Sequence, residues 1–484
     1  MPPEQREDLP IIMRNFSNGV VQDSVVDEYL APKDSVSLAI NLHFDRLGST
    51  QLRPGVTILG SQIDAGDAIL GLHQFLDQGT GTDNRLLAVV NTALYYLSGG
   101  TWTSKRTGLT AQKKARFTNF LDFVWMVNGA DATAIWDGAS ANSFITTGNA
   151  ASAPIGFFIE NFKSRVWILN NPSNPSRAYY STLPDPSTGL VSWEGDYIDI
   201  SPGDGEDITG AKKFGKILWM FKNNYMYPIF SINETEPDPS INVGTYSHES
   251  ISVAKDGMYW HHPTGIYRMR KGESQPMEIS RPVDDVIKNI LRTNYDLISS
   301  WVDRDHVYFS VGNVTLDNGL IITNCVLRWT ISTETWTIYS YAHSFTCGAQ
   351  YDTGSALAQV VGDSDGKVHT FNSGLSDNGI EIHYQLETQW TNILGLRSET
   401  KVINKIAGVH ENAAGGKVGF RKDKDNISEI KALGSLKEPE TMFNNIRDMK
   451  GKRFKMNLSG SSKGTPFTFQ GFEILEYKNE GIIE

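Results

Sequence analysis

FVWMVNGADATAIW, residues 123–136, is the stretch on which the fold turns. Phe123–Val127 is a run of β-formers, Asn128–Gly129 supplies a reversal, and Ala134–Trp136 resumes as a second run. Aromatic and β-branched side chains suit a pleated, half-buried surface, and Asn-Gly accepts the positive φ angles of a tight turn. The segment therefore reads as a β-hairpin.

The same unit recurs in both directions. Upstream it is Leu86–Val90 with Leu94–Leu97. Downstream it is Val166–Leu169 with Ala178–Ser181 across a loop at Asn170–Ser176, Ile217–Phe221 with Tyr225–Phe230, and Met258–Trp260 with Ile266–Met269. Val307–Val311 with Cys325–Thr330 and Ala358–Val361 with Lys367–Phe371 complete the series. The markers Val89, Trp125, Trp167, Trp219, Tyr259, Tyr308 and Val360 recur every 36 to 52 residues, the spacing of propeller blades. A blade alone leaves both faces wet, and packing blades around an axis buries them. The expected fold is all-β, a β-propeller of six or seven blades over residues 57–379. A stack of β-sandwiches is the competing arrangement.

Both ends of the chain differ from this middle. Ile380–Leu386, Lys401–Val409, Gly415–Arg421, Arg453–Leu458 and Phe467–Tyr477 are longer strands without hairpin spacing, predicting an antiparallel β-sandwich over 380–484. Residues 1–56 read as an N-terminal arm whose strand, Val36–Leu42, must find a sheet elsewhere. Helical spacing is confined to Pro282–Ile290, where Val283, Val286, Ile287 and Ile290 share a face, and to a weaker segment at Ala111–Ala115.

Composition narrows the function. A net charge of −11 over 484 residues argues against a tight phosphate-neutralising binder, and the basic run KGKRFK, Lys450–Lys455, reads as a solvated face. No apolar run approaches the roughly 18–20 residues that span a bilayer, so no membrane anchor is expected. MPPEQREDLP lacks the apolar core of a signal peptide. Cys325 and Cys347 fit two reduced thiols, consistent with a cytoplasmic assembly.

No P-loop, dinucleotide fingerprint, GxSxG or HExxH is present, so no catalytic residue, metal ligand or cofactor is assigned. His261 and His262 are neighbours and on a strand face opposite ways. Asp363-Ser364-Asp365-Gly366 opens like a calcium loop but lacks the later ligands, and reads as a hairpin turn. Ser98–Trp102 and Ser332–Trp336 only loosely echo the turns of sialidase-like propellers. Two acidic loops stand out, SPGDGED with Asp204, Glu206 and Asp207, and NETEPD with Glu234, Glu236 and Asp238. They suit solvated connectors, or loops that narrow a lumen around DNA while repelling phosphates.

Several landmarks resemble one family. Asn41–Val56 (NLHFDRLGSTQLRPGV) is similar to its opening, a strand with an Asn leading to an Arg-Pro-Gly turn. Ser250–Gly257, Gly265–Tyr267 and Pro276–Ile287 (PMEISRPVDDVI) resemble one of its blades, and Arg453–Tyr477 its closing sandwich strands. The family is the hub or nozzle proteins of short-tailed bacteriophages, also described as packaged-DNA-stabilisation or head-completion proteins. The resemblance implies a virion tail protein without enzymatic activity, in a hexameric ring below the portal and adaptor. Its partners would be copies of itself, the portal adaptor and tail fibre or needle proteins, with double-stranded DNA passing transiently and without sequence-specific binding. Exchange of the N-terminal arm between subunits would hold that ring. The alternatives are a receptor- or glycan-binding propeller and a propeller glycosidase.

Overall fold

The computed structural model describes residues 11–22, 32, 34–44, 48–77, 84–234, 237–390, 399–412, 415–422, 430–437, 440–446 and 449–482. Each hairpin of the sequence becomes the second and third strands of one blade. Blade 1 comprises Ile69–Phe75, Arg85–Val90, Ala93–Ser98 and Thr101–Arg106, and blade 2 Arg116–Phe120, Phe123–Val127 and Ala134–Trp136. Blade 3 is Phe158–Phe162, Arg165–Asn171, Asn174–Tyr180 and Tyr197–Asp199, and blade 4 is Gly210–Phe214, Ile217–Phe221 and Met226–Ile229. Blade 5 is Ser252–Val253, Gly257–His262, Gly265–Arg270 and Met277–Glu278. Blade 6, Ser299–Asp303, His306–Thr315, Ile321–Thr330 and Thr335–Ser340, is the first part of a nine-stranded sheet. Blade 7, Phe345–Asp352, Leu357–Asp363 and Val368–Thr370, takes its fourth strand, Thr57–Ile58, from the other end of the propeller sequence. Six free-standing sheets and the blade within the larger sheet thus complete a β-propeller.

Packing closes the ring. Among the described residues, seven apolar clusters each straddle one pair of neighbouring blades, the one between blades 5 and 6 extending into the sandwich. Trp136 lies between blades 1 and 2, Trp125 between 2 and 3, and Trp167 between 3 and 4. Trp219 with Trp260 joins 4 to 5, and Tyr259 with Trp336 joins 5 to 6. Trp301 with Tyr308 joins 6 to 7, and Val360 with Val90 joins 7 back to 1. Burying each such side chain contributes about 1.5–3 kcal/mol, so every blade is stabilised chiefly by its two neighbours.

The ends of the chain build the sandwich together. One sheet combines Ile11–Arg14, Leu42–Phe44 and Thr50–Leu52 with Glu399–Glu411, Glu440–Asn444, Lys450–Gly451 and Thr468–Ile482. The other continues blade 6. Val36–Ile40 pairs in parallel with Thr335–Ser340 and antiparallel with Ile382–Thr388, and Phe454–Ser462, Lys417–Lys422 and Lys431–Ser435 follow. Ile406, Phe469 and Phe472 of the first sheet and Leu386, Val418 and Leu458 of the second share a core with Phe309 and Trp336 of blade 6. The arm's described strands therefore pair with sheets of their own chain.

Three local expectations need correction. Pro282–Ile290 is a 3-10 turn at Arg281–Val283 and a single α-turn at Asp284–Ile287, although Val283, Val286, Ile287 and Ile290 all face the core as their spacing predicts. Packing, not helix length, holds so short a segment. Ala111–Ala115 is a turn and extended chain: Gln112 takes a φ of +60°, and the Ala115 N–H donates to Leu70 O. The loop expected at Asn170–Ser176 is mostly strand, reversing at Pro172–Ser173. Cys325 and Cys347 are free and lie in different clusters, and burial raises both thiols, Cys347 to about 12.

Candidate functional site

The innermost strands of the blades converge on an axial cavity of about 640 Å³. Glu249 enters it from the 3-10 turn His248–Ser250 between blades 4 and 5. Its carboxylate accepts from Arg116 Nε at 2.8 Å and Lys114 Nζ at 3.3 Å. Arg116 also donates to Phe157 O at 3.0 Å and lies 4.5 Å over the Phe158 ring. Lys212 pairs with Glu160 at 3.0 Å. Burial would raise the Glu249 pKa, but the charges of Arg116 and Lys114 override it and hold the group well below the carboxylate range. Burial takes His73 down to about 4 and His248 to about 3, so both rings are neutral near pH 7. These ion pairs tie blade 2 to the connection between blades 4 and 5, and blade 3 to blade 4. The cavity is braced by mutually paired charges of both signs and is not an acidic tunnel.

The acidic loops lie elsewhere, and they lie apart. Asp204 leaves blade 3 and meets the turn of blade 4, where its two oxygens accept from Lys222 Nζ at 2.7 and 2.8 Å. The Lys222 side chain is fully buried, while Asp204 is partly open to solvent. Burial would raise the Asp204 pKa, and the hydrogen bond from Lys222 lowers it below the usual range. Glu206 accepts from the Asn224 backbone and side-chain amides of the same turn, and Asp207 is exposed. Glu234 is at the opposite end of the ring, its carboxylate accepting the Phe230 and Ser231 N–H groups beside Lys163 of blade 3. Asp238 is exposed on the segment returning along the outer edge of blade 4, and Glu236 falls outside the described residues. Antiparallel strands alternate their loops between two ends, so the two loops do not form one acidic constriction.

Asp204 is thus the counterion of a buried ammonium. Asp204→Asn is expected to lower stability by about 2 kcal/mol, discounted from a fully buried pair for solvent screening. Asp207→Asn is expected to change it by under about 0.5 kcal/mol. Urea midpoints of the two variants test the contrast. A role of this loop toward DNA is then best probed at Asp207, where the fold is indifferent.

The other candidate residues resolve simply. His261 and His262 are buried in blade 5, and burial lowers His261 to about 3. Asp363–Gly366 is the hairpin turn of blade 7, with Asp363 Oδ1 accepting the Asp365 and Lys367 N–H groups at 2.9 and 2.8 Å.

Sequence reading did not find the junction of the two halves. Arg53, 1% exposed, directs both guanidinium Nη groups at Asp377, at 2.8 and 2.6 Å. Its Nε donates to Asn41 Oδ1 at 2.8 Å, and Asn41 Nδ2 donates to His383 O of the sandwich. Gly55, ending the same Arg-Pro-Gly turn, has no room for a side chain, because a Cβ would stand 1.9 Å from Ser376 O. The sequence showed the turn but not its partner 324 residues away.

Fold and junction define a β-propeller fused to a β-sandwich through a shared sheet. The chain matches no known protein-family model and no curated protein sequence. Among solved structures it is similar to YCF48 bound to D1 peptide, with 11% identity and a TM-score of 0.41 over 66% of this chain and 97% of that one. YCF48 from Cyanidioschyzon merolae gives the same identity, TM-score and share of this chain, with 98% of its own length covered. The extracellular domain of the hybrid two-component system BT3049 from B. thetaiotaomicron gives 10% identity and a TM-score of 0.47 over 90% of this chain and 62% of that one.

Proposed function

We propose that this chain is a structural subunit of a short-tailed phage tail hub or nozzle, a hexameric ring in the virion tail that forms and gates the DNA exit channel below the portal and adaptor. The observation that carries the reading is the single nine-stranded sheet running from blade 6 through Val36–Ile40 into the sandwich. It makes propeller and sandwich one stiff wall, the property a ring under the pressure of packed DNA requires. The NLHFDRLGSTQLRPGV stretch adds support, since the Asn41 and Arg53 that carry its resemblance to the family are the residues that fasten this junction. The DNA lumen would lie between subunits, because each propeller's own axis is crossed by ion pairs.

The axial cavity favours a second reading, a glycan- or receptor-binding propeller, since its volume is within the range of small-molecule sites. Native mass measurement of the purified chain, alone and with portal adaptor, separates the two. Six copies in a closed ring that docks on the adaptor are expected. A persistent monomer that binds glycans would overturn the tail-hub reading.

A further inference from the structure

Three described acidic residues are buried: Asp363, Asp377 and Glu387. Asp377 is paired with Arg53 at 2.6 Å, and Glu387 with Arg421 at 2.9 Å. Among the described residues Asp363 has no Lys or Arg within salt-bridge distance. Its Oδ2 faces His369 Nε2 at 2.8 Å and His343 Nδ1 at 3.5 Å, while Lys367 turns its ammonium to Asp365. A buried carboxylate is paired with a cation or coordinates a metal, and an imidazole nitrogen is the commonest metal ligand among side chains. We infer that His343, Asp363 and His369 bind one divalent transition-metal cation of borderline softness, Zn²⁺ in the first instance.

The geometry suits that ion. One ligand atom from each of the three residues lies within 4.8 Å of the others. Tetrahedral zinc with bonds of about 2.0–2.1 Å separates its ligands by about 3.3 Å, so the contacts to Asp363 at 2.8 and 3.5 Å bracket that separation and the two ring nitrogens need to close by at most about 1.5 Å. The rings already lie against each other, 4.5 Å between centroids. Asp363 Oδ1 is pinned by two backbone N–H groups, which leaves Oδ2 aimed at the rings. His343 is 14% exposed, against 0% for His369, so a fourth ligand such as water enters from the His343 side. Two nitrogens and one oxygen match zinc or its first-row neighbours better than calcium or magnesium.

The site lies on the seam of the ring. His343 belongs to the connection from blade 6, Asp363 ends one strand of blade 7, and His369 is opposite Ile58 of the closing strand. A bound ion ties all three segments and stabilises the closed propeller by mass action.

The test uses the full chain stripped with EDTA, then titrated with ZnCl₂ and CoCl₂ and followed by calorimetry and thermal melting. The wild type is expected to bind one more equivalent than His343→Ala, to give a tetrahedral Co²⁺ spectrum, and to melt higher when loaded. His343→Ala is expected to weaken that equivalent by about 100-fold or more and to melt, metal-free, near the stripped wild type. His369→Gln should behave alike; if it does not fold, the half-buried His343 decides alone. Equal metal uptake by wild type and His343→Ala, or no uptake by either, overturns the site and leaves a hydrogen-bonded turn.

Discussion

Replacing Arg53 with methionine is expected to cost about 3–5 kcal/mol of folding stability, the usual penalty for leaving a buried charge without its partner. All five guanidinium N–H bonds are used: Nε on Asn41, Nη1 on Pro54 O and Asp377 Oδ1, and Nη2 on Ser340 O and Asp377 Oδ2. The Tyr341 ring lies 3.7 Å from the guanidinium carbon. Burial alone would lower the Arg53 pKa, but Tyr341 and Asp377 raise it above its ordinary value, so the group stays charged at any working pH. Methionine leaves the Asp377 carboxylate, 2% exposed, without its cation, with only the Ala342 N–H still donating to it, and leaves the Asn41 oxygen with the Ser340 N–H alone. Arg53→Lys is not expected to rescue, because an ammonium lacks the planar fork that grips both carboxylate oxygens. The double variant Arg53→Met with Asp377→Leu should recover much of the loss, since it removes both charges together. Urea denaturation of the two single variants and the double gives the coupling directly. A single Arg53→Met midpoint equal to wild type would mean that the junction does not hold the halves together.

The propeller was legible because its signal is local. Each marker residue read from the sequence, from Val89 to Val360, falls in a different one of the seven clusters between blades. The second strand of every blade is buried on both faces, so its composition carries the pattern. The inner strand Ser252–Val253 and the closing strand Thr57–Ile58 are two residues long, too short to show any period. The surroundings of the candidate residues were hidden for a different reason. Asp204 and Asp238 look alike as acidic loop residues, yet only the alternation of strand direction decides which end of the ring each reaches. Asp204 found a buried lysine on the next blade, which no spacing announces. His343 and Asp363 come together only when blade 7 folds back beside its entry connection, so Asp363 read merely as a turn residue. That reading was right for its first oxygen and silent about the second.

Val36–Ile40 decides whether the protein behaves as one body, and Leu38→Pro is expected to divide it. Leu38 is 3% exposed and pairs with Glu387, in a strand with a neighbour on each side. Proline has no N–H for such a ladder and does not fit a central strand, and the substitution also empties part of the shared core. The combined cost is expected to exceed about 3 kcal/mol, concentrated at the seam between blade 6 and the sandwich. The seven interfaces around the ring do not depend on this strand except where blades 5 and 6 share its cluster, so most blades should outlast the seam. Calorimetry should then resolve two transitions where wild type gives one, and limited proteolysis should release a propeller fragment before a sandwich fragment is lost. Leu38→Met, which keeps the strand and nearly the volume, should cost under about 1.5 kcal/mol and leave one transition. If Leu38→Pro melts in a single step at the wild-type temperature, the continuous sheet does not couple the halves, and the mechanical argument for a ring wall fails with it. If it melts in two steps and still assembles into complete rings, the coupling exists but assembly does not need it. The ring contacts would then have to be sought on the propeller or the sandwich separately.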